Sequence, residues 1–485
     1  MKISFKKTIN SNEKILIIPL SSKKNAPDYI KKWLDLRIKN KEFALKNYQQ
    51  IEYYSDKEDN PDYSIIIGMG DASKISSKKV RNAFSKAVKN AKKVKKQEIS
   101  ILLNNELAPY YRQIAEASVL ANYQMDIYKT GKNKKVSDQS RFKKINFISE
   151  NFTSNQKKDL EAGYLTALAV NHVRDYVNGP ENIMNVNFFA NEAKKLAKKY
   201  KYKLTVLEKK QLERLGMGAI LGVNRGSEHG AKLLILEHRP LKKEKPIMIA
   251  GKGVTFDTGG VQVKPDMAMD WMKMDMAGGG VVLGLFHLLK ELNIKKNVIG
   301  IIPLTDNAVS STAQKPNDIV TSYSGKTIEI GHTDAEGRLI LADAISYGIK
   351  KYQPQEIIDL ATLTGACMVA LGTEYAGLFS NNKKLIQKLL NASENTDEEI
   401  WHMPIHKNHR EAMKGTISDL KNIASSKFGG ASTAAAFLQA FVEKTPWAHI
   451  DIAGVAKPIK PKSFDEDGSA TGFGVRLIID FLQNN

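Results

Sequence analysis

A chain of 485 residues exceeds what one hydrophobic core usually serves, so at least two domains are expected. Its composition, 42% hydrophobic with 8% aromatic residues, is that of an ordinary globular protein, and no apolar run approaches the roughly 18–20 residues of a membrane helix. Of the net charge of +21, about +16 lies in residues 1–160, and the single cysteine, Cys367, excludes an intrachain disulfide framework and suits a reducing cytoplasm.

The first stretch, MKISFKKTINSNEKILIIPL, is basic, but its apolar core is too short for a signal peptide. ILIIPL (15–20), YSIIIGMG (63–70) and EISILLNN (98–105) read as strands. PDYIKKWLDLRIKN and VRNAFSKAVKNAKK, lying between them, carry helical spacing, and 111–128 reads as a further helix. Residues 1–150 therefore form an α/β domain without a cluster of catalytic residue types. Lysine runs over 74–98 and 129–144 suit a solvated helix face, and they also suit an electrostatic nucleic-acid surface. The runs carry few of the interleaved aromatics and arginines that would favour single-strand binding.

A long helix is expected over 151–180 as a linker, ending near Asn178–Gly179–Pro180. A second, larger α/β domain then occupies 181–485. FANEAKKLAKKYKYKLTVLE opens it with a helix and a strand, and AGGGVVLGLFHLLKELN is a helix whose initial glycines permit close backbone packing. NVIGIIPLTD, EIIDLATL and WAHIDIAG are continuous apolar runs, as in sheet strands covered on both faces. A central mixed sheet flanked by helices follows. Cys367, after TLTGA, reads as a small buried apolar residue.

Two stretches carry the chemistry. GKGVTFDTGGVQVKPDMAMDWMKMDMAGGG (251–280) places Lys252, Asp257, Lys264 and Asp275 among small and apolar residues. Such isolated charges need partners, because desolvating an unpaired charge costs several kcal/mol. GHTDAEGRLILAD (331–343) alternates Asp334, Glu336 and Arg338 between a β-branched strand and a helical run. Four carboxylates in one pocket would repel each other, and divalent cations would remove that repulsion. No HExxH pair competes, and no GxSxG elbow supports a serine triad. His402, His406 and His409 stand at helix-like spacing and read as a partly exposed helix.

GKGVTFDTGG, Lys264, the DM at Asp275 and TDAEGRL together resemble the cytosolic leucyl aminopeptidases, a two-metal exopeptidase family. The resemblance continues through DLATLTGA, GGASTAAAFL and WAHIDIAG, and more faintly through RDYVNGPENIMNV. It implies a cytoplasmic homohexamer that removes N-terminal, leucine-like residues from peptides. Lys252, Asp257, Asp275, Asp334 and Glu336 would be the metal ligands, with Asp257 and Glu336 bridging. The cations would be Zn2+, with one site open to Mn2+, Co2+ or Mg2+. Lys264 would clamp the developing oxyanion. Arg338, with the backbone around Gly337 and Leu363, would hold a bicarbonate serving as general base. Met272, Thr362 and Gly365 would line the pocket for the N-terminal side chain. A nucleic-acid-binding role for the basic N-terminal half, alone or beside peptidase activity, is the alternative from another class. Two positions depart from the family pattern: Thr258 replaces a serine, and His332 replaces an asparagine.

Overall fold

The computed structural model describes residues 1–10, 13–46 and 48–485. Two compact units are present: residues 1–168 with 461–467, and residues 169–460 with 468–485. The partition runs through the helix Ser154–Asn178. Among the described residues, no helix is long and apolar enough to cross a membrane.

In the first unit, strands β1 (Lys2–Lys6), β2 (Ile15–Leu20), β3 (Gln50–Tyr54), β4 (Tyr63–Gly68), β5 (Glu98–Leu102) and β6 (Lys144–Ile148) form one sheet. Its order is β1-β6-β5-β2-β4-β3, parallel except for the β3–β4 pair. β2 and β4 are buried along their whole length, which suits their isoleucine-rich, largely apolar sequences. Helix Ser77–Ala91 turns Val80, Phe84, Ala87 and Val88 inward and leaves Lys78, Lys79 and Lys86 exposed. Much of this lysine run is therefore the outer face of an amphipathic helix. The helix expected over 111–128 stops at Ala121. There the Asn122 side chain donates to Phe142 O (2.8 Å) and accepts from Phe142 N (3.0 Å), tying the chain to a distant segment.

The second unit holds a nine-stranded mixed sheet and a small three-stranded one. Its strands are β7 (Lys203–Glu208), β8 (Lys232–His238), β9 (Ile247–Gly251), β10 (Gly253–Asp257), β11 (Val298–Asn307), β12 (Ile319–Thr321), β13 (Thr327–Glu329), β14 (Glu356–Ala361), β15 (Ala376–Ser380), β16 (Ile400–His402), β17 (Leu420–Lys421) and β18 (Trp447–Asp451). β18, β14, β9 and β11 run parallel in the centre, flanked by antiparallel neighbours β15 and β8. β10 joins β11 in parallel. The central strands therefore end at one edge of the sheet, where ligands bind in open α/β folds.

Helix Ala277–Leu288 lies directly on this centre because its first turn is glycine. A Cβ on Gly278 would meet Leu360 O at 2.2 Å, and one on Gly251 would meet Gly278 O at 2.3 Å. The histidine segment is not one helix: His402 ends β16, and His406 caps the short helix Lys407–Glu411 that contains His409. A side chain at i+4 matches helical spacing by chance when a strand and a turn share the interval.

Candidate metal centre

The carboxyl ends of the central strands supply the site. Lys252 follows β9, Asp257 ends β10, Asn307 ends β11, Thr362 follows β14 and Asp451 ends β18. Asp275 lies on the tight turn Met272–Met276, and Asp334 and Glu336 lead into helix Gly337–Tyr352. The fold thus brings together Lys252, Asp257, Lys264, Asp275, Asp334 and Glu336. One carboxylate oxygen each from Asp257, Asp334 and Glu336 converge, all lying within 4.8 Å of one another.

Lys252 Nζ reaches Asp275 Oδ1 and Glu336 Oε1, both at 2.8 Å, and donates to Thr362 O at 2.9 Å. Lys264 Nζ reaches Asp257 Oδ2 at 2.7 Å and also pairs with Asp334. Burial works against both ammoniums, but the surrounding carboxylates outweigh it and hold both lysines above their ordinary range. Burial and the carboxylates of Glu336 and Asp275 push Asp257 well above the usual carboxylate range. Burial likewise lifts Asp275 to about 6, against the pull of Lys252. For Glu336 burial is outweighed by Lys252 and Lys264, which hold it low.

Four carboxylates against two ammoniums leave an excess of negative charge in a largely buried place. Asp275 Oδ2 is buried with no hydrogen-bond partner. A clustered, all-oxygen donor set with an orphaned buried oxygen fits hard or borderline divalent cations. Lys252, once neutral, would add a nitrogen donor.

The supporting shell is asparagine-rich, and its members were not among the residues expected to act. Asn307 Nδ2 donates to Asp257 Oδ1 at 2.8 Å and to Thr333 O at 3.1 Å. Gly259 N donates to the same Asp257 oxygen at 2.9 Å. Asn422 Oδ1 accepts from Gly331 N at 2.7 Å, while its Nδ2 donates to His332 O at 2.7 Å. A polar TDN closing an otherwise apolar strand was the signal available for Asn307. Asn422 comes from a remote turn and carries none.

The remaining predicted residues divide. Arg338 is buried, donates from Nη1 to Asn422 O at 2.7 Å, and keeps Nε without a partner. Burial lowers this guanidinium to about 10, against the carboxylates of Glu336 and Asp451. A Cβ on Gly337 would meet Lys252 Cε at 2.5 Å, so glycine there leaves room for the lysine. Leu363 N donates to Asp451 Oδ1 at 3.1 Å and is already engaged. Thr362 Oγ1 donates to Asp275 Oδ1 at 2.6 Å and so fixes a carboxylate. Gly365 is exposed with open space at its Cβ, and Met272 is half-buried. At the two departures the local bonds are made: Thr258 Oγ1 donates to Asn307 O at 2.7 Å, and His332 Nδ1 accepts from Asp334 N at 3.1 Å.

Fold and site define a carboxylate-rich centre, suited to divalent cations, at the carboxyl edge of a mixed sheet. The catalytic-domain model of the cytosol aminopeptidase family matches residues 171–479, and that family's N-terminal-domain model matches residues 20–132. A probable cytosol aminopeptidase of Wolbachia pipientis wMel is 39% identical over 441 residues, covering 90% of this chain and 87% of the relative. A probable cytosol aminopeptidase of Brucella suis biovar 1 is 41% identical over 418 residues, covering 85% and 83%. The solved structure of the bottromycin maturation enzyme BotP in complex with Mn aligns with a TM-score of 0.85 at 27% identity, covering 97% of this chain and 99% of that one. The chain belongs to the cytosol aminopeptidase family. It is a metal-dependent aminopeptidase, a hydrolase acting on peptides.

Proposed function

We propose that Lys252, Asp257, Asp275, Asp334 and Glu336 hold two divalent cations for removal of N-terminal, leucine-like residues from peptides. The observation that carries this reading is the convergence of Asp257, Asp334 and Glu336 oxygens within 4.8 Å inside a buried carboxylate cluster. Zn2+ with an exchangeable position for Mn2+, Co2+ or Mg2+ suits this donor set, and BotP was solved with Mn. Bound there, the cations would polarise the scissile carbonyl and acidify the attacking water.

The chain's own groups supply the rest. Asp275 is oriented by Thr362, and Asp257 by Asn307 and Gly259, so the ligand oxygens are preorganised rather than recruited. Lys264 is the more accessible cation, standing beside Asp257 and Asp334, and donates a hydrogen bond to the developing oxyanion. The free Nε of Arg338 is a buried donor that would suit a small planar anion; bicarbonate bound there would supply a general base. The open side of Gly365, with Met272 and Thr362, bounds the space for the N-terminal side chain. The protein acts in the cytoplasm as a homohexamer.

Metal analysis of purified protein, with leucine-amide hydrolysis before and after chelation, tests the reading. Two bound equivalents, activity lost on chelation and restored by Zn2+ or Mn2+ are expected. Asp275→Asn should lose one equivalent and most turnover with the fold retained. Unchanged metal content and turnover in that variant would overturn the two-cation assignment.

A further inference from the structure

The N-terminal sheet has a crevice of its own at the point where its strand order reverses. From β2 the chain passes to the edge strand β3 and back to β4 on one side, then crosses to β5 on the other side, and continues outward to β6. Helix Asp28–Lys39 leaves β2, and the 3-10 turn Asn105–Tyr110 leaves β5. The connections thus diverge between the carboxyl ends of β2 and β5, which is where open α/β sheets place their ligands. A cavity of about 650 Å³ lies there, bounded by the ends of β2, β5 and β6 and by the segment after β1. That volume is within the ordinary range for small-molecule sites.

Its lining combines three kinds of polar group over an apolar base that includes Leu103 and Ile148. Lys7 and Lys24 are exposed cations, with no carboxylate in ion-pair contact among the described residues. Asn25, Asn105 and Asn151 present carboxamides, which can both donate and accept. Glu106 and Glu150 add carboxylates, of which Glu106 already accepts from Ser21. Cations suit a phosphate, carboxylates suit sugar hydroxyls, and carboxamides suit the edge of a planar base. None of these groups belongs to the metal centre.

We propose that this crevice is a nucleotide-binding site, with Lys7 and Lys24 receiving the phosphates. Calorimetric titration of the full-length metal-loaded protein with ADP tests it, with adenosine, inorganic phosphate and saturating leucine amide as separate arms. Saturable ADP binding below about 1 mM is expected, weakened at least about tenfold in the Lys7→Ala/Lys24→Ala double variant. Both lysines are exposed, so the variant should keep its melting temperature and its leucine-amide hydrolysis. Adenosine should bind more weakly than ADP because it lacks the phosphates. Four outcomes would overturn the proposal: no ADP binding, binding unaltered by the double variant, displacement by leucine amide, or inorganic phosphate binding as tightly as ADP. The third places ADP at the metals, and the fourth makes the crevice a simple anion site.

Discussion

Lys252 and Lys264 meet the same cluster of carboxylates but are anchored differently. Lys252 is fully buried and held by Asp275, Glu336 and a backbone carbonyl, whereas the Lys264 ammonium retains some exposure and pairs with Asp257 and Asp334. Lys264→Ala should lower turnover by roughly two to three orders of magnitude while two metals stay bound, as removal of an oxyanion donor does. Lys252→Ala should instead weaken metal binding, read by competition with a chromophoric chelator. Equal metal stoichiometry and equal kinetic defects in the two variants would show the division of roles to be wrong. His332 makes a narrower case. Its Nδ1 accepts the Asp334 N–H, a bond that an asparagine side-chain oxygen could also accept. His332→Asn should therefore leave metal retention and turnover near the parent, and His332→Leu, which removes the acceptor, should loosen the metal on the Asp334 side. Identical metal affinities for the two variants would remove any role for this bond.

Helix Ala277–Leu288 shows how an element can be dictated by what lies beneath it. Gly278 has no room for a methyl group, because Leu360 O and the Lys252 N–H approach from the neighbouring strand ends. Gly278→Ala should displace the helix from β9 and β14, destabilising the fold by more than about 2 kcal/mol as overpacking does, and lowering the melting temperature. A Gly278→Ala variant that melts with the parent would mean that the glycine run is dispensable for packing. Elements of this kind were legible in the sequence. The apolar runs of β2, β4, β11, β14 and β18 are written continuously because both faces are covered. The clustered charges of 252–275 and 334–338 were legible for the opposite reason, since charges in apolar company require partners. What the sequence hid was long-range. Asn122 ends its helix by pairing with Phe142, and Asn422 braces the Asp334 loop from a remote turn. The strand, cap and short helix carrying His402, His406 and His409 imitate one helix only when the tertiary contacts are ignored.

For the whole molecule, stability has a polar component at the centre of the larger sheet that involves none of the proposed metal ligands. His449 Nδ1 lies 2.6 Å from Asp359 Oδ1, and Trp447 Nε1 donates to Asp359 Oδ2 at 2.6 Å, all three residues being fully buried on β14 and β18. Burial opposes the imidazolium, but the Asp359 carboxylate and its hydrogen bond, with a smaller contribution from Asp451, outweigh both burial and the Arg338 charge. The His449 pKa is thereby raised. The folded state therefore holds this proton more tightly than the unfolded chain does. The stability it contributes is complete below the unfolded histidine pKa of about 6.5 and is lost as pH rises through the higher folded value. Denaturant unfolding of the parent and of His449→Gln, followed across neutral to alkaline pH, isolates the contribution as a difference. The parent should lose its advantage over the variant as pH rises above about 6.5. Asp359→Ala, which leaves a buried imidazole and indole N–H unpaired, should cost roughly 3–5 kcal/mol at neutral pH. A constant difference between parent and His449→Gln from neutral to alkaline pH would show that folding adds no proton at His449, and the charged-pair account of this contact would fall.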